Sequence, residues 1–217
     1  MKQLSKVNRQ YNVCVIDIGS PKLGNIGWCI INTETRIEAN GSNLDELFTH
    51  IKKNTRCHGL ILGLEAPLFV PVRRDLILAL KARTGEGKRP WSAGAGAQVL
   101  AMNLPIMIYI FNGIKSTGAK ITYSVNEETF KSQPNEIMIF EALVSGEDKG
   151  ISHIDDAKIM ARSCSHFAKN SVLPPSILEH EEGTEYFNIA AAALIRCGLE
   201  KDLSALSLHT PIYKPRR

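Results

Sequence analysis

Three runs of consecutive apolar residues each end on a carboxylate. Val13-Cys14-Val15-Ile16 ends on Asp17, Leu60-Ile61-Leu62-Gly63-Leu64 on Glu65, and Ile137-Met138-Ile139-Phe140 on Glu141. Runs of that length, bounded by turn residues, predict buried strands. The pattern predicts strands over 11–18, 26–32, 35–39, 59–65, 119–125 and 136–143, the third short and polar enough to lie towards an edge. Between them the spacing turns helical. Leu44, Leu47, Phe48 and Ile51 mark one helix, and Leu76, Ile77 and Leu80 a second helical stretch. Ser92 fits the N-cap of a helix running through 98–102, kinked or interrupted by Pro105 and ended by Asn112-Gly113. Another spans 155–168 with Ile159, Met160, Ser163, Cys164 and Phe167 inward, and a strongly apolar one spans 185–198.

Three leading strands, a helix, a strand and then alternating helices and strands make an α/β chain around one mixed sheet with helices on both faces. An antiparallel three-strand meander followed by a crossover is the layout of the RNase H-like fold, which also hosts the actin-like ATPases. The expected organisation is a flexible arm over 1–10, a single domain over 11–205 and a mobile basic tail over 206–217.

Composition changes this picture little. A chain of 217 residues is long enough for one domain with a sizeable core. The net charge of +4 permits a nucleic-acid or phosphate partner without requiring one. Five cysteines with no CxxC fit free thiols in a reducing cytosol better than a disulfide framework or a zinc site. The first residues lack the apolar stretch of a signal peptide, and no run reads as the ~20 apolar residues that span a bilayer. A cytoplasmic protein is expected.

The carboxylates carry the chemistry. A charge at the end of a buried strand is expensive unless a cation or hydrogen bonds satisfy it. Several from separate strands point to one shared acidic pocket. Asp17, Glu65, Glu141 and the pair Asp155-Asp156 are the residue types that hold magnesium or manganese through oxygen. Converging carboxylates are also what two-metal phosphodiester hydrolysis needs. Asp156 shares a helical stripe with Met160 and Cys164 and should face the sheet. Asp155 could point in or serve as a helix cap, Glu141 could lie on an exposed strand face, and Asp17 before Gly19 could form an Asx-turn. His153 could orient a water or a metal ligand, or be a surface or capping residue.

Two loops add candidate phosphate contacts. Asp17-Ile18-Gly19-Ser20-Pro21-Lys22 could bring backbone N–H groups, Ser20 and Lys22 to a phosphate, or be a glycine-rich hairpin turn. The stretch 85–97 superficially resembles a P-loop, but Ala82 stands where the first glycine is needed and Arg89 replaces the Ser/Thr. It could instead form an anion site from Arg83, Lys88, Arg89 and a helix N-terminus, with Trp91 placed to stack a base.

Taken in order, Asp17-Ile18-Gly19-Ser20, Gly63-Leu64-Glu65-Ala66-Pro67-Leu68, Phe140-Glu141-Ala142 and His153-Ile154-Asp155-Asp156-Ala157 resemble the sequence blocks of an uncharacterised family of predicted nucleases with an RNase H-like fold, distantly similar to the RuvC-type resolvases. The resemblance covers roughly residues 11–168 by blocks. It implies a magnesium- or manganese-dependent nuclease acting on DNA or RNA, with Asp17, Glu65, Glu141 and Asp155 or Asp156 as metal ligands. Two rivals stand beside it. One is a non-catalytic binding module on the same fold. The other is a phosphotransferase of the actin/sugar-kinase type, because Asp17-Ile18-Gly19-Ser20 also resembles its first phosphate loop.

Overall fold

The computed structural model describes residues 10–86, 90–179 and 184–216. Strand β1 (Tyr11–Ile18) is buried along its whole length, as its apolar run requires. It pairs antiparallel with β2 (Ile26–Ile31), which pairs antiparallel with the shorter β3 (Glu38–Gly41). Helix α1 (Leu44–Asn54) follows, with the Asn43 side chain accepting from the Asp45 N–H at its start and Leu47, Phe48 and Ile51 on its buried stripe. The chain then returns as β4 (Gly59–Glu65), parallel to β1. β5 (Phe69–Val72), α2 (Gly94–Ser116) and β6 (Thr122–Ser124) lead to β7 (Glu136–Ala142), which is parallel to both β4 and β6. Helix α3 (His153–Ala168), β8 (Glu185–Asn188), α4 (Ile189–Arg196) and β9 (Ile212–Tyr213) complete the chain. The main sheet has the order β3-β2-β1-β4-β7-β6, with β9 alongside β7, while β5 and β8 form a separate ribbon.

The sheet is covered on both faces. Cys14, Ile16, Leu62, Leu64 and Ile139 pack against α1, α2 and α4, whereas Val13, Val15, Ile61, Met138 and Phe140 pack against Ala157, Met160 and Cys164 of α3. Gly63 makes this possible in the centre, where a Cβ would stand 2.3 Å from the Phe140 ring.

Several boundaries differ from the pattern-based expectation. The third strand lies at Glu38–Gly41 rather than 35–39. Leu76, Ile77 and Leu80 belong to no α-helix and are exposed, the first two on a single 3₁₀ turn (Leu76–Leu78). β5 in the same stretch was not expected. Ser92 does not cap α2; its hydroxyl donates to the Leu80 carbonyl and the helix starts at Gly94. Pro105 lies inside α2 without ending it, its missing N–H falling on the exposed side of the helix. Uninterrupted, α2 is long and apolar enough by length and composition to cross a membrane, contrary to the expectation that no run approaches that length. Here its Asn103, Met107, Ile110, Phe111 and Ile114 stripe is buried. The apolar stretch 185–198 is split between β8 and α4, and the tail carries β9, with Tyr213 fully buried. The expected arm over 1–10 lies almost entirely outside the described residues.

Candidate metal centre

Side chains alternate across a strand, so register decides which carboxylates meet. Asp17 of β1 stands beside Glu65 of β4, placing both on the α3 face at adjacent strand ends. Asp156, in the first turn of α3, points down onto them from the buried stripe it shares with Met160 and Cys164. One carboxylate oxygen from each of Asp17, Glu65 and Asp156 lies within 4.8 Å of the other two. Close backbone approach makes the convergence possible. A Cβ on Gly27 would lie 2.3 Å from the backbone of His153 and Ile154, so only glycine lets the α3 N-terminus settle this near β2.

Each carboxylate has a different set of partners. His153 Nδ1 lies 2.7 Å from Asp17 Oδ2, and the Gly150 N–H and Lys149 Nζ (3.1 Å) bond Asp156. Lys149 also reaches Glu65 Oε1 at 3.5 Å. Glu65 Oε2, buried, takes no hydrogen bond from an N–H or hydroxyl among the described residues, and the Glu65 carboxyl bonds only the Asp17 carboxyl beside it. Burial, then the Asp17 charge, pushes the Glu65 carboxyl up to about 9. Burial likewise raises Asp17, an effect His153 only partly offsets. Burial works against the charge of Lys149, but Glu65 and Asp156 outweigh it and raise its pKa. At neutral pH Glu65 therefore keeps its proton beside the Asp17 carboxyl, because the site lacks the positive charge that would let it ionise. A divalent ion would displace that proton and supply a partner for the Glu65 oxygen that no N–H or hydroxyl reaches. The donors are all carboxylate oxygens, which suits a hard cation.

Glu141 is not part of this cluster. It pairs in register with Leu64, not Glu65, and so lies on the opposite face of the sheet. There its two oxygens take a bidentate bond from Arg83 (2.6 and 2.8 Å) and its Oε2 accepts from the Leu68 N–H. Arg83, expected on phosphate, is 2 % exposed, bonded to Glu141 and Glu86, and stacked 4.6 Å over the Phe69 ring. Burial opposes its charge, yet the two carboxylates raise its pKa further. It staples the 73–86 segment to the sheet and has no donor to spare for a substrate except Nε, which is buried. Asp155 also turns away: its carboxylate accepts from the Ser152 hydroxyl, which in turn accepts from the Asp155 N–H, a helix cap.

The turn after β1 directs three of its N–H groups to its own carbonyls. Those of Leu23 and Asn25 donate to the Ser20 carbonyl and that of Gly24 to Pro21. Lys22 sits exposed on that turn. Trp91 is half-buried beside the start of α2, its indole N–H donating to the Lys81 carbonyl. Lys88 and Arg89 lie outside the described residues. Lys149 and the Gly150 N–H, in the loop before α3, were missed by sequence reasoning; loop residues carry no periodicity to flag them. Comparison of the chain with family models, curated proteins and solved structures finds no match to any of the three.

Proposed function

We propose that this chain is a metal-dependent phosphodiesterase, a nuclease on an RNase H-like fold that acts on nucleic acid with Mg²⁺ or Mn²⁺. The observation that carries the reading is the buried Asp17–Glu65–Asp156 cluster, in which no N–H or hydroxyl reaches Glu65 Oε2. The strand order supports the fold: an antiparallel β3-β2-β1 meander continues into parallel β4 and β7. In this reading Asp17, Glu65 and Asp156 hold the cation. A cation so held polarises a phosphodiester oxygen and acidifies a bound water. His153 fixes the rotamer of Asp17, and the Gly150 N–H fixes that of Asp156. Lys149, half-exposed, swings from the carboxylates towards the phosphate and neutralises its charge. A reducing, cytoplasmic setting belongs to the same proposal and rests on five free thiols.

One observation favours a second reading. Lys149 already bonds Asp156 and approaches Glu65, so the cluster could be an ion network inside a non-catalytic binding module. Titrating Mn²⁺ and Mg²⁺ while following thermal unfolding separates the two. Stabilisation of wild type that disappears in Asp17→Asn/Glu65→Gln, together with metal-dependent cleavage of DNA or RNA by wild type alone, is the expected result. No shift at millimolar metal and no cleavage of either nucleic acid would leave the binding module as the reading.

A further inference from the structure

The carboxylate cluster lies between two hollows, and Lys149 lines both. On the α3 side a cavity of about 550 Å³ has a mixed wall, with Asn25, Ser42, Ser152 and His153 beside Asp156. On the other side a cavity of about 480 Å³ begins at Glu65 and Lys149 and runs to Trp91, between Pro67, Val99 and Val144. Its wall is mostly apolar. The two other carboxylates that border it, Glu86 and Glu141, are both engaged by Arg83. Among the described residues the only cation in that wall is Lys149, at the carboxylate end.

A surface that receives duplex nucleic acid neutralises rows of phosphates with basic side chains. Among the described residues this cavity presents one cation, Lys149 at its mouth, and a mostly apolar wall that includes Trp91. What fits such a wall is the uncharged part of a nucleotide. Its volume falls within the ~300–1,000 Å³ of pockets that bury small organic ligands, a class that includes a nucleoside but not a base pair with both its backbones. Trp91 is held by its bond to the Lys81 carbonyl and presents an indole on which a base can stack.

We propose that this cavity seats one unpaired nucleoside, its base on Trp91, and that the protein acts on single-stranded or locally unpaired nucleic acid. The seat rests on the nuclease reading for its purpose. The phosphate attached to the seated nucleoside then falls at the cavity mouth, beside Glu65 and Lys149. The α2 N-terminus, with no capping side chain and with Gly94 and Gly96 in its first turn, borders the same cavity and favours a neighbouring phosphate.

The test is a fluorescence titration with oligo(dT) of ten nucleotides and a duplex of equal length, in EDTA so that no cleavage intervenes. The chain has two tryptophans, and Trp28 is buried beneath α1 and β3, so quenching reports on Trp91. Oligo(dT) should quench the signal and bind at least tenfold tighter than the duplex. Trp91→Ala should weaken single-strand binding roughly five- to a hundredfold, while Trp91→Phe keeps most of it. Val99→Trp, which fills the cavity from α2, should weaken it as much. Unchanged single-strand affinity in Trp91→Ala and Val99→Trp overturns the seat, as does equal binding of the duplex or no binding at all. The two readings fail separately. Trp91-dependent binding without cleavage in Mg²⁺ or Mn²⁺ removes the nuclease and keeps the seat. Cleavage of duplex by Trp91→Ala at the wild-type rate removes the seat and keeps the nuclease.

Discussion

Replacing Glu65 with glutamine should make the metal-free protein more stable, and the size of the gain follows from the site. The Glu65 carboxyl ionises at about 9 in the folded chain, against 4.5 as a free side chain. Between those values the folded state holds a proton that the unfolded state has released. The stabilisation is therefore fully present below about 4.5 and is lost as pH rises towards 9. At about 1.4 kcal/mol per pH unit, the interval from 4.5 to pH 7 amounts to roughly 3 kcal/mol lost. That is an upper bound, because Lys149, with 44 % of its side chain exposed, can close on an ionised Glu65 and recover part of it. Glutamine stays neutral throughout. Metal-free Glu65→Gln should exceed wild type by about 1–3 kcal/mol at pH 7–8, about 2–10 °C in Tm. The gap should shrink below about 1 kcal/mol at pH 5. Thermal unfolding followed by circular dichroism from pH 5 to 9 in EDTA measures it, and adding Mn²⁺ should then stabilise wild type but not the variant. A variant less stable than wild type at pH 8, or a gap that ignores pH, would mean that Lys149 already satisfies an ionised Glu65. The argument that Glu65 cannot ionise without an added cation would then be wrong.

Three further substitutions separate the roles of residues that look alike in sequence. Glu141→Gln breaks the bidentate pair with Arg83 and should cost about 3–5 kcal/mol in urea denaturation. It should leave the Mn²⁺-induced shift in Tm intact; a lost shift would return Glu141 to the metal site. Asp156→Asn should abolish the metal shift, whereas Asp155→Asn should lose only a helix-cap interaction of about 1 kcal/mol and keep it. The reverse pattern in the same titration would show that the helix is rotated from the orientation described. Gly27→Ala drives a Cβ into the backbone of His153, and should lower stability by about 1–3 kcal/mol and weaken Mn²⁺ stabilisation together. Gly24→Ala, where no atom lies within 4 Å, should cost about 1 kcal/mol or less through its positive φ and leave metal binding alone. Equal metal responses in the two would break the link between the α3 approach and the site.

What the sequence disclosed and what it hid follow the same physical line. Buried strands need apolar side chains at every position, so β1, β4 and β7 are visible as runs. The helical stripe of Asp156, Met160 and Cys164 is visible as spacing. The register between strands more than 70 residues apart is not visible, and it alone distinguishes Glu65 from Glu141. In β4 and β7 the carboxylate follows its apolar run in the same way, but the pairing of Leu64 with Glu141 puts the two acids on opposite faces. Arg83 misled for a related reason: a basic loop reads as a phosphate contact until the long-range partner that buries it is known. β9 was hidden by its two-residue length, too short to show a period, inside a basic tail.

The two faces of the sheet show how differently one fold can treat a buried carboxylate. On the α2 face, Glu141 receives a fork of two N–H donors from Arg83 and a backbone N–H from Leu68, so both its oxygens are partnered. On the α3 face, Glu65 and Asp156 share one half-exposed lysine, Asp17 has His153, and no N–H or hydroxyl among the described residues reaches Glu65 Oε2. Folding alone gives no reason for the second arrangement. An apolar residue at 65 would extend the run that precedes it, and replacing buried charges with well-packed apolar groups is often neutral or stabilising. The strand ends are thus destabilised locally while the layers of apolar side chains around them hold the cluster in place. A carboxyl that packing keeps protonated beside two others is one that an arriving cation can ionise and bind, and a cation that binds only the folded state stabilises it. Sites that break the rules of burial in this way are expected where the structure serves something other than its own stability.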